Sequence, residues 1–312
     1  MSNAFDSDLS GRTILDCSAG WPGPFMGRLL MEKGARIVKV ENPKRDDVAR
    51  TVGGHYDWLN ENKEVRKLDL TSAEGKAAFA SLVHTADGLI EGFRPKARLK
   101  IGLDEETLLS INPRLCIVSL VGYPEDGPLK DRPGHEINYQ ALSGLSSIFN
   151  GMAGLAVSDF FTGYEGALAM VSALDHLARN DDALGKRIVL SIYGVSQKIQ
   201  WPLINDYKET GIVPVHGETI FTGGLPCHRL YEAKDGRKIS VGPIENVFWN
   251  RLCDLLGTTE IKDQGHAKGD EAKEVIRIMQ NAFGQKVWAE WEPIFAENDC
   301  CVEVVKDYSE LF

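Results

Sequence analysis

No stretch of the 312 residues approaches the roughly 18 consecutive apolar positions of a membrane-spanning helix. A basic excess is missing too. The net charge of −10 argues against general nucleic-acid binding. The six cysteines, Cys17, Cys116, Cys227, Cys253, Cys300 and Cys301, show neither CxxC nor Cys/His zinc spacing, so no metal site is expected. They read as reduced thiols, most of them in the core, and with the absence of a signal-peptide pattern they point to the cytoplasm. Met1-Ser2-Asn3-Ala4 is set aside from the fold argument. Internal repeats and low-complexity tracts are absent. The turn Gly20-Trp21-Pro22-Gly23-Pro24 lacks the GxGxxG spacing of a dinucleotide site, and a tight turn needing glycine and proline geometry accounts for its composition.

What is present is enough apolar material for a large core, 43% of the residues, in a chain long enough for about two domains. Strand signals at Thr13–Ser18 and Ala35–Glu41 flank an amphipathic helix at Phe25–Lys33, a βαβ unit. Leu68–Leu70 precedes a capping-box pattern, Thr71-Ser72-Ala73-Glu74, and a helix to about Thr85. Strand signals return at Gly88–Phe93 and Leu115–Gly122, and again at Arg187–Tyr193. This alternation predicts an α/β fold, a parallel Rossmann-like sheet with helices on both faces, whose ligands bind at the carboxyl ends of the strands. A helix at Gly194–Tyr207 and a linker at Thr210–Gly224 follow; strand signals at His228–Tyr231 and Lys238–Val241 and a helix at Val247–Leu256 predict a smaller α+β domain. The expected divisions are a large domain over 1–193, a helical linker over 194–222 and a small domain over 223–312.

Two residues draw attention as an acid/base pair. His135 in GHEINYQALSG (134–144) and Asp159 in AVSDFFTG (156–163) stand 24 positions apart, each at the start of an apolar helical pattern. Ile137, Ala141, Leu142, Leu145 and Ile148 recur after Pro133 and place His135 in a first turn, near the positive end of the helix dipole. Phe160, Tyr164, Leu168, Val171, Leu174 and Leu177 leave Asp159 at an N-cap. On spacing alone each residue has an ordinary reading as well: a helix cap for Asp159, a hydrogen-bonding surface histidine for His135. Arg94, Lys96, Arg98 and Lys100 likewise read either as a phosphate-binding cluster or as a solvated basic loop.

Six stretches carry a resemblance: GWPGPFMGRLLMEKGARIVKVENP (20–43), LNENKEVRKLDL (59–70), ADGLIEGFRP (86–95), INPRLCIVSLVGY (111–123), GHEINYQALSG with the downstream Asp159, and GGLPCHRLYEAKDGRKISVGPIENVFW (223–249). In this order the chain resembles the CaiB/BaiF family, or class III CoA-transferases, and within it the α-methylacyl-CoA racemase branch. The resemblance implies an interlocked homodimer acting on an acyl-CoA thioester, with coenzyme A as part of the substrate and no further cofactor. It implies coenzyme A contacts at Pro22, Gly23, Leu68, Phe93, Arg94 and Lys100, the last at a position that is usually Arg. Asn42 replaces a coenzyme A-contacting Arg of the family, with Lys44, Arg45 or Arg50 as candidates to compensate. Cys227-His228 stands where racemases have two aromatics, so the acyl pocket is expected to take a different chain.

The implied chemistry follows from the thioester, whose carbonyl acidifies the adjacent C–H. A base on one face removes that proton and an acid on the other returns one, which requires two groups of opposite protonation state. By resemblance His135 and Asp159 fill these roles, Glu136 and Glu245 are acids that hold or polarise the histidine, and Glu245 comes from the partner subunit. Backbone N–H groups at the helix starts are candidates to stabilise the enolate oxygen. In the transferase branch the same Asp159 is instead a nucleophile that forms an acyl-aspartyl anhydride. A third reading, an acyl-CoA-binding homologue without turnover, rests on the chain stopping where family members continue for some tens of residues.

Overall fold

In a computed structural model that describes residues 9–312, the chain divides into two compact units, residues up to 146 with 152–202, and residues 147–151 with 203–312. The Met1–Ala4 opening and the start of the expected large domain lie outside the described residues. The first unit runs β1 (Thr13–Asp16), α1 (Pro22–Glu32), β2 (Arg36–Glu41), α2 (His55–Asn60), β3 (Glu64–Lys67), α3 (Ala73–Thr85), β4 (Gly88–Glu91), α4 (Pro95–Ile101), α5 (Glu105–Ile111), β5 (Cys116–Val121) and α6 (Glu136–Ser143). After α7 (Leu145–Phe149), which straddles the division, come α8 (Val157–Arg179), β6 (Arg187–Ser191) and α9 (Ile192–Lys198), and α10 (Trp201–Thr210) lies mostly in the second unit.

The six strands form one parallel sheet in the order β3-β2-β1-β4-β5-β6. Its central strands, β1, β2, β4 and β5, are buried on both sides, since adjacent residues point to opposite faces and helices cover each face. Ile14, Ile37, Ile90 and Val118 pack with Met26, Leu30, Met170 and Leu174 of α1 and α8. Leu15, Val38, Leu89 and Ile117 pack with Phe79, Val83 and Leu108 of α3 and α5. The chain direction across the sheet reverses between β1 and β4, which opens a crevice at their carboxyl ends.

Local chemistry moves several expected boundaries. The helix after Leu70 is capped by Ser72, whose hydroxyl accepts the Gly75 N–H, whereas Thr71 is engaged with Asp69. The pattern from Ile137 to Ile148 is two helices, because Gly144 takes φ of 88° and ends α6. Ile137 and Leu142 on that pattern are exposed. The single helix expected over 194–207 is also two, α9 and α10.

The second unit holds the antiparallel sheet β7 (Arg229–Glu232), β8 (Lys238–Val241) and β9 (Val302–Val304) with α11 (Asn246–Leu256), α12 (Gly269–Phe283) and α13 (Trp288–Ala296). Its core centres on Trp249, Tyr231, Phe283 and Trp291, and the indole N–H groups of Trp249 and Trp291 donate to the carbonyls of Ile261 and Phe283.

A buried ionic cluster ties β4, α4, β5 and β6 together. Arg187 donates to both oxygens of Glu125 at 2.8 Å and to Ser119 Oγ at 2.6 Å; Arg98 donates to Glu125 at 2.7 Å, and both guanidinium groups reach the fully buried Glu91 at 3.5 Å. Removing one partner of such a cluster leaves a desolvated charge. Arg187→Met is therefore expected to destabilise the fold by about 3 kcal/mol in urea denaturation; a loss below about 1 kcal/mol, the range of exposed pairs, would mean that the cluster contributes little.

Candidate active site

The crevice at the β1/β4 reversal contains a cleft of about 200 Å³. The β1–α1 loop forms one wall, Ser18 to Gly23, while Gly92 follows β4 and Gly122 follows β5; Val48, Leu120 and Ile192 add apolar surface. His135, Tyr139 and Asp159 complete the lining. Two residues separated by 24 positions thus face one small space.

The two helix starts meet through Glu136. The α8 N-cap is Ala156, which has no side-chain acceptor for the free N–H groups of the first turn. Glu136 supplies it from α6. Its Oε1 accepts from Ser158 N and its Oε2 from Asp159 N, each at 2.9 Å, and Gln140 Nε2 donates to Oε1 at 2.7 Å. Glu136, expected beside the histidine, thus places its carboxylate on the start of the helix that carries Asp159. These bonds also engage the α8 N–H groups expected to face an enolate oxygen.

Asp159 is the third residue of α8 rather than its N-cap, and it is 5% exposed. Among the described residues nothing donates a hydrogen bond to its carboxyl. Burial and the nearby Glu136 carboxylate push its pKa up to about 8, so it holds its proton at neutral pH. His135 stands at the N-cap of α6 in extended backbone, φ −131°, one position before the expected first turn. It is exposed, and its N–H donates to Asn138 Oδ1. The carboxyl is sealed off and the imidazole-bearing residue is open to solvent.

The floor between them is built on tyrosines. Tyr139 donates to Gly134 O at 2.8 Å and meets Tyr123 edge-on, ring centroids 5.4 Å apart. A Cβ on Gly134 would lie 2.8 Å from the Tyr139 ring, and one on Gly122 would lie 2.6 Å from its hydroxyl, so both positions need glycine. Sequence reasoning missed Tyr139, although it stands four positions after His135. The glycines after β4 and β5 were findable by the strand-end rule.

Of the residues expected to contact coenzyme A, Pro22 and Gly23 line the cleft, and Leu68, Phe93, Arg94 and Lys100 do not. Leu68 and Phe93 pack against the α3 face of the core. Arg98 is withdrawn from the basic cluster into its buried ion pairs, Arg94 donates to Asp131 O, and Lys100 is exposed. Near Asn42, Lys44 pairs with Asp69 and Arg50 with Glu41, and Arg45 is exposed with no ion-pair partner among the described residues. Glu245 belongs to the second unit, exposed at the N-cap of α11. Cys227 is buried in that unit's core, and the His228 imidazole bonds Ile220 O. Among the described residues no group of three His, Cys, Asp or Glu side chains is arranged to hold a metal ion, and no helix is long and apolar enough to cross a membrane.

Known proteins resemble this chain in sequence and in fold. The family described as CoA-transferase family III matches residues 9–312. The chain is 30% identical to the α-methylacyl-CoA racemase of Homo sapiens over 311 residues, covering 97% of this chain and 79% of the racemase. It is also 30% identical to a succinate–glutarate CoA-transferase of Agrobacterium fabrum over 290 residues, 86% of this chain and 72% of that protein. A CaiB/BaiF family protein from Brucella suis has the same fold, with a TM-score of 0.83 at 23% identity over 98% of this chain and 86% of that one.

The raised Asp159 pKa fixes a sign. Between about pH 4 and pH 8 the folded protein holds a proton that the unfolded chain has released, so this group's contribution to stability falls as pH rises. Asp159→Asn removes that slope. Its stability relative to the unmodified protein should grow between pH 5 and pH 8 by a few kcal/mol in order of magnitude, measured by urea titration. An equal difference at both pH values would mean that the carboxyl titrates in the ordinary range.

Proposed function

The chain belongs to CoA-transferase family III, and within that family we propose that it is a cytoplasmic α-methylacyl-CoA racemase-like enzyme. The observation that carries this reading is the pairing, in one cleft, of a buried carboxyl that keeps its proton with a solvent-open imidazole. In one direction His135 removes the α-proton of the thioester, the electron pair moves onto the carbonyl oxygen as an enolate, and Asp159 delivers its proton to the opposite face. In the other direction the roles exchange. A nucleophilic Asp159 would need to be ionised at working pH, which its burial beside Glu136 opposes.

Coenzyme A is part of the substrate in this reading. Pro22 and Gly23 would flank its chain at the cleft, and Arg94, Lys100 and Arg45 are the cations available to its phosphates. Glu136 acts on Asp159 by fixing the α8 N-terminus, and Glu245 approaches His135 from a second copy. A homodimer is supported by the exposed stripe Phe161, Tyr164, Leu168 and Val171 on α8 and by α10, which buries none of its residues. All six cysteines are free, in keeping with a reducing compartment.

Proton NMR of a 2-methylacyl-CoA in deuterated water, with a free carboxylic acid present, tests the reading. The α-proton signal should disappear without a new thioester. His135→Ala and Asp159→Ala should each slow this exchange by at least about 10²-fold. The rate in the direction that uses Asp159 as acid should fall as pH rises through about 8. A coenzyme A ester of the added acid, formed with the α-proton retained, would identify transferase chemistry instead.

A further inference from the structure

Beneath the cleft lies a second buried ionic group, distinct from the acid/base pair. Asp16 at the end of β1 is fully buried, Lys39 on β2 is 1% exposed, and the side chain of Lys63, just before β3, is 0% exposed. Lys39 Nζ lies 3.5 Å from Asp16 and 3.9 Å from Asp47, and Lys63 Nζ lies 3.0 Å from Asp16. Burial raises the Asp16 pKa, but Lys39 and Lys63 more than offset this and hold it well below the usual range, so the carboxylate is ionised.

Lys63 also donates to Asn60 Oδ1 and Asp47 Oδ1 accepts from Ala49 N, and several further bonds of this group go to one stretch of the chain. Lys39 Nζ donates to Ser18 O, Lys63 Nζ donates to Pro24 O at 2.7 Å, and Asp47 Oδ1 accepts from Gly20 N at 2.9 Å. Asp16 Oδ1 accepts from both the N–H and the hydroxyl of Ser18. The stretch so held, Ser18 to Pro24, includes the wall of the cleft. It also bears on the helix of Asp159: a Cβ on Gly163 would lie 2.9 Å from Pro22 O, and Phe25 meets Phe160 with ring centroids 4.8 Å apart. The wall admits little internal slack, since a Cβ on Gly23 would fall 2.1 Å from Ser18 Oγ.

Stability alone is a weak reason for this arrangement. Buried ion pairs are commonly matched or bettered by apolar residues of similar volume, because desolvation offsets their attraction. Asp47 Oδ2, moreover, is buried without a hydrogen-bond partner. We infer that Lys39 and Lys63 are positioning residues, whose ammonium groups fix the Ser18–Pro24 wall against the first turn of α8 and so set the cleft's width beside Asp159. This inference rests on the proposed reading of the cleft as the thioester site, but its first readout does not.

The experiment pairs hydrogen–deuterium exchange with steady-state kinetics, well below the melting temperature, on Lys39→Met, Lys63→Met and the charge-balanced Lys39→Met/Asp47→Asn. The double variant keeps a side-chain oxygen for Gly20 N and leaves no uncompensated charge, which guards against simple misfolding. The control is Arg114→Met, which removes donors to the carbonyls of Leu177, Asn180, Asp181 and Ala183 at the far end of α8.

Faster amide exchange confined to a peptide spanning 17–25 is expected in the lysine variants, with kcat for α-proton exchange at least tenfold lower. Arg114→Met should lower the melting temperature and leave kcat and KM unchanged. Unchanged exchange in the 17–25 peptide would overturn the tethering, whether or not the protein proves to be a racemase. A loosened wall with normal kcat and KM would reduce the lysines to structural parts. If the unmodified protein exchanges no α-proton, the functional reading fails by itself, and the amide-exchange comparison still decides the tethering.

Discussion

The site depends on a helix whose N-terminus is capped from outside. Helix α8 begins at a residue that offers no acceptor, and its first N–H groups would be left unsatisfied in a partly buried place. Glu136 resolves this and in doing so binds the start of α6 to the start of α8. Neighbouring residues form the proposed acid/base pair, His135 directly before the capping glutamate and Asp159 among the N–H groups it caps. Burial does most to keep the proton on Asp159, and the same carboxylate that closes the joint adds a negative charge beside it.

The parallel sheet contributes the place. Reversal of strand order between β1 and β4 leaves a gap between the loops that leave their carboxyl ends, and short residues keep it open at Gly20, Gly23, Gly92 and Gly122. Two buried ionic clusters flank that gap. One holds the loop after β1, and the other, around Glu91, holds the backbone after β4 through the Phe93 N–H. Each joins segments far apart in sequence. Loops anchored in this way form walls rather than lids, as preorganised polar chemistry requires.

Most of the fold was legible because period and punctuation agree in the first unit. The runs Ile37–Val38, Leu89–Ile90 and Ile117–Val118 are continuous apolar segments between turn residues, and each is a doubly covered strand. His135 and Asp159 were legible as helix-start residues, and the cleft they share was not, because the joint is a side-chain-to-backbone bond across more than twenty residues. Arg98 shows a related limit. Its neighbours Lys96 and Lys100 are exposed, so composition marks a solvated basic run, yet Arg98 turns inward to Glu91 and Glu125. Periodicity also failed where apolar positions face outward, as Ile137, Leu142 and Leu168 do, since a pattern of spacing does not say which chain covers it.

Asp159 is the acid in the racemase reading and the nucleophile in the transferase reading, and its protonation is the physical variable that separates the two. A nucleophile needs its carboxylate free, whereas an acid for a carbanion-like centre needs its proton held until the enolate forms. Solvent access or a neighbouring cation would favour the first. Here Asp159 is 5% exposed, no cation among the described residues pairs with it, and the adjacent charge is negative. In the proposed reading the glutamate cap therefore shapes the reaction as well as the helix. Exchanging the negative charge for a neutral acceptor would keep the joint and shift Asp159 toward ionisation, moving the site along the axis that divides racemase from transferase chemistry.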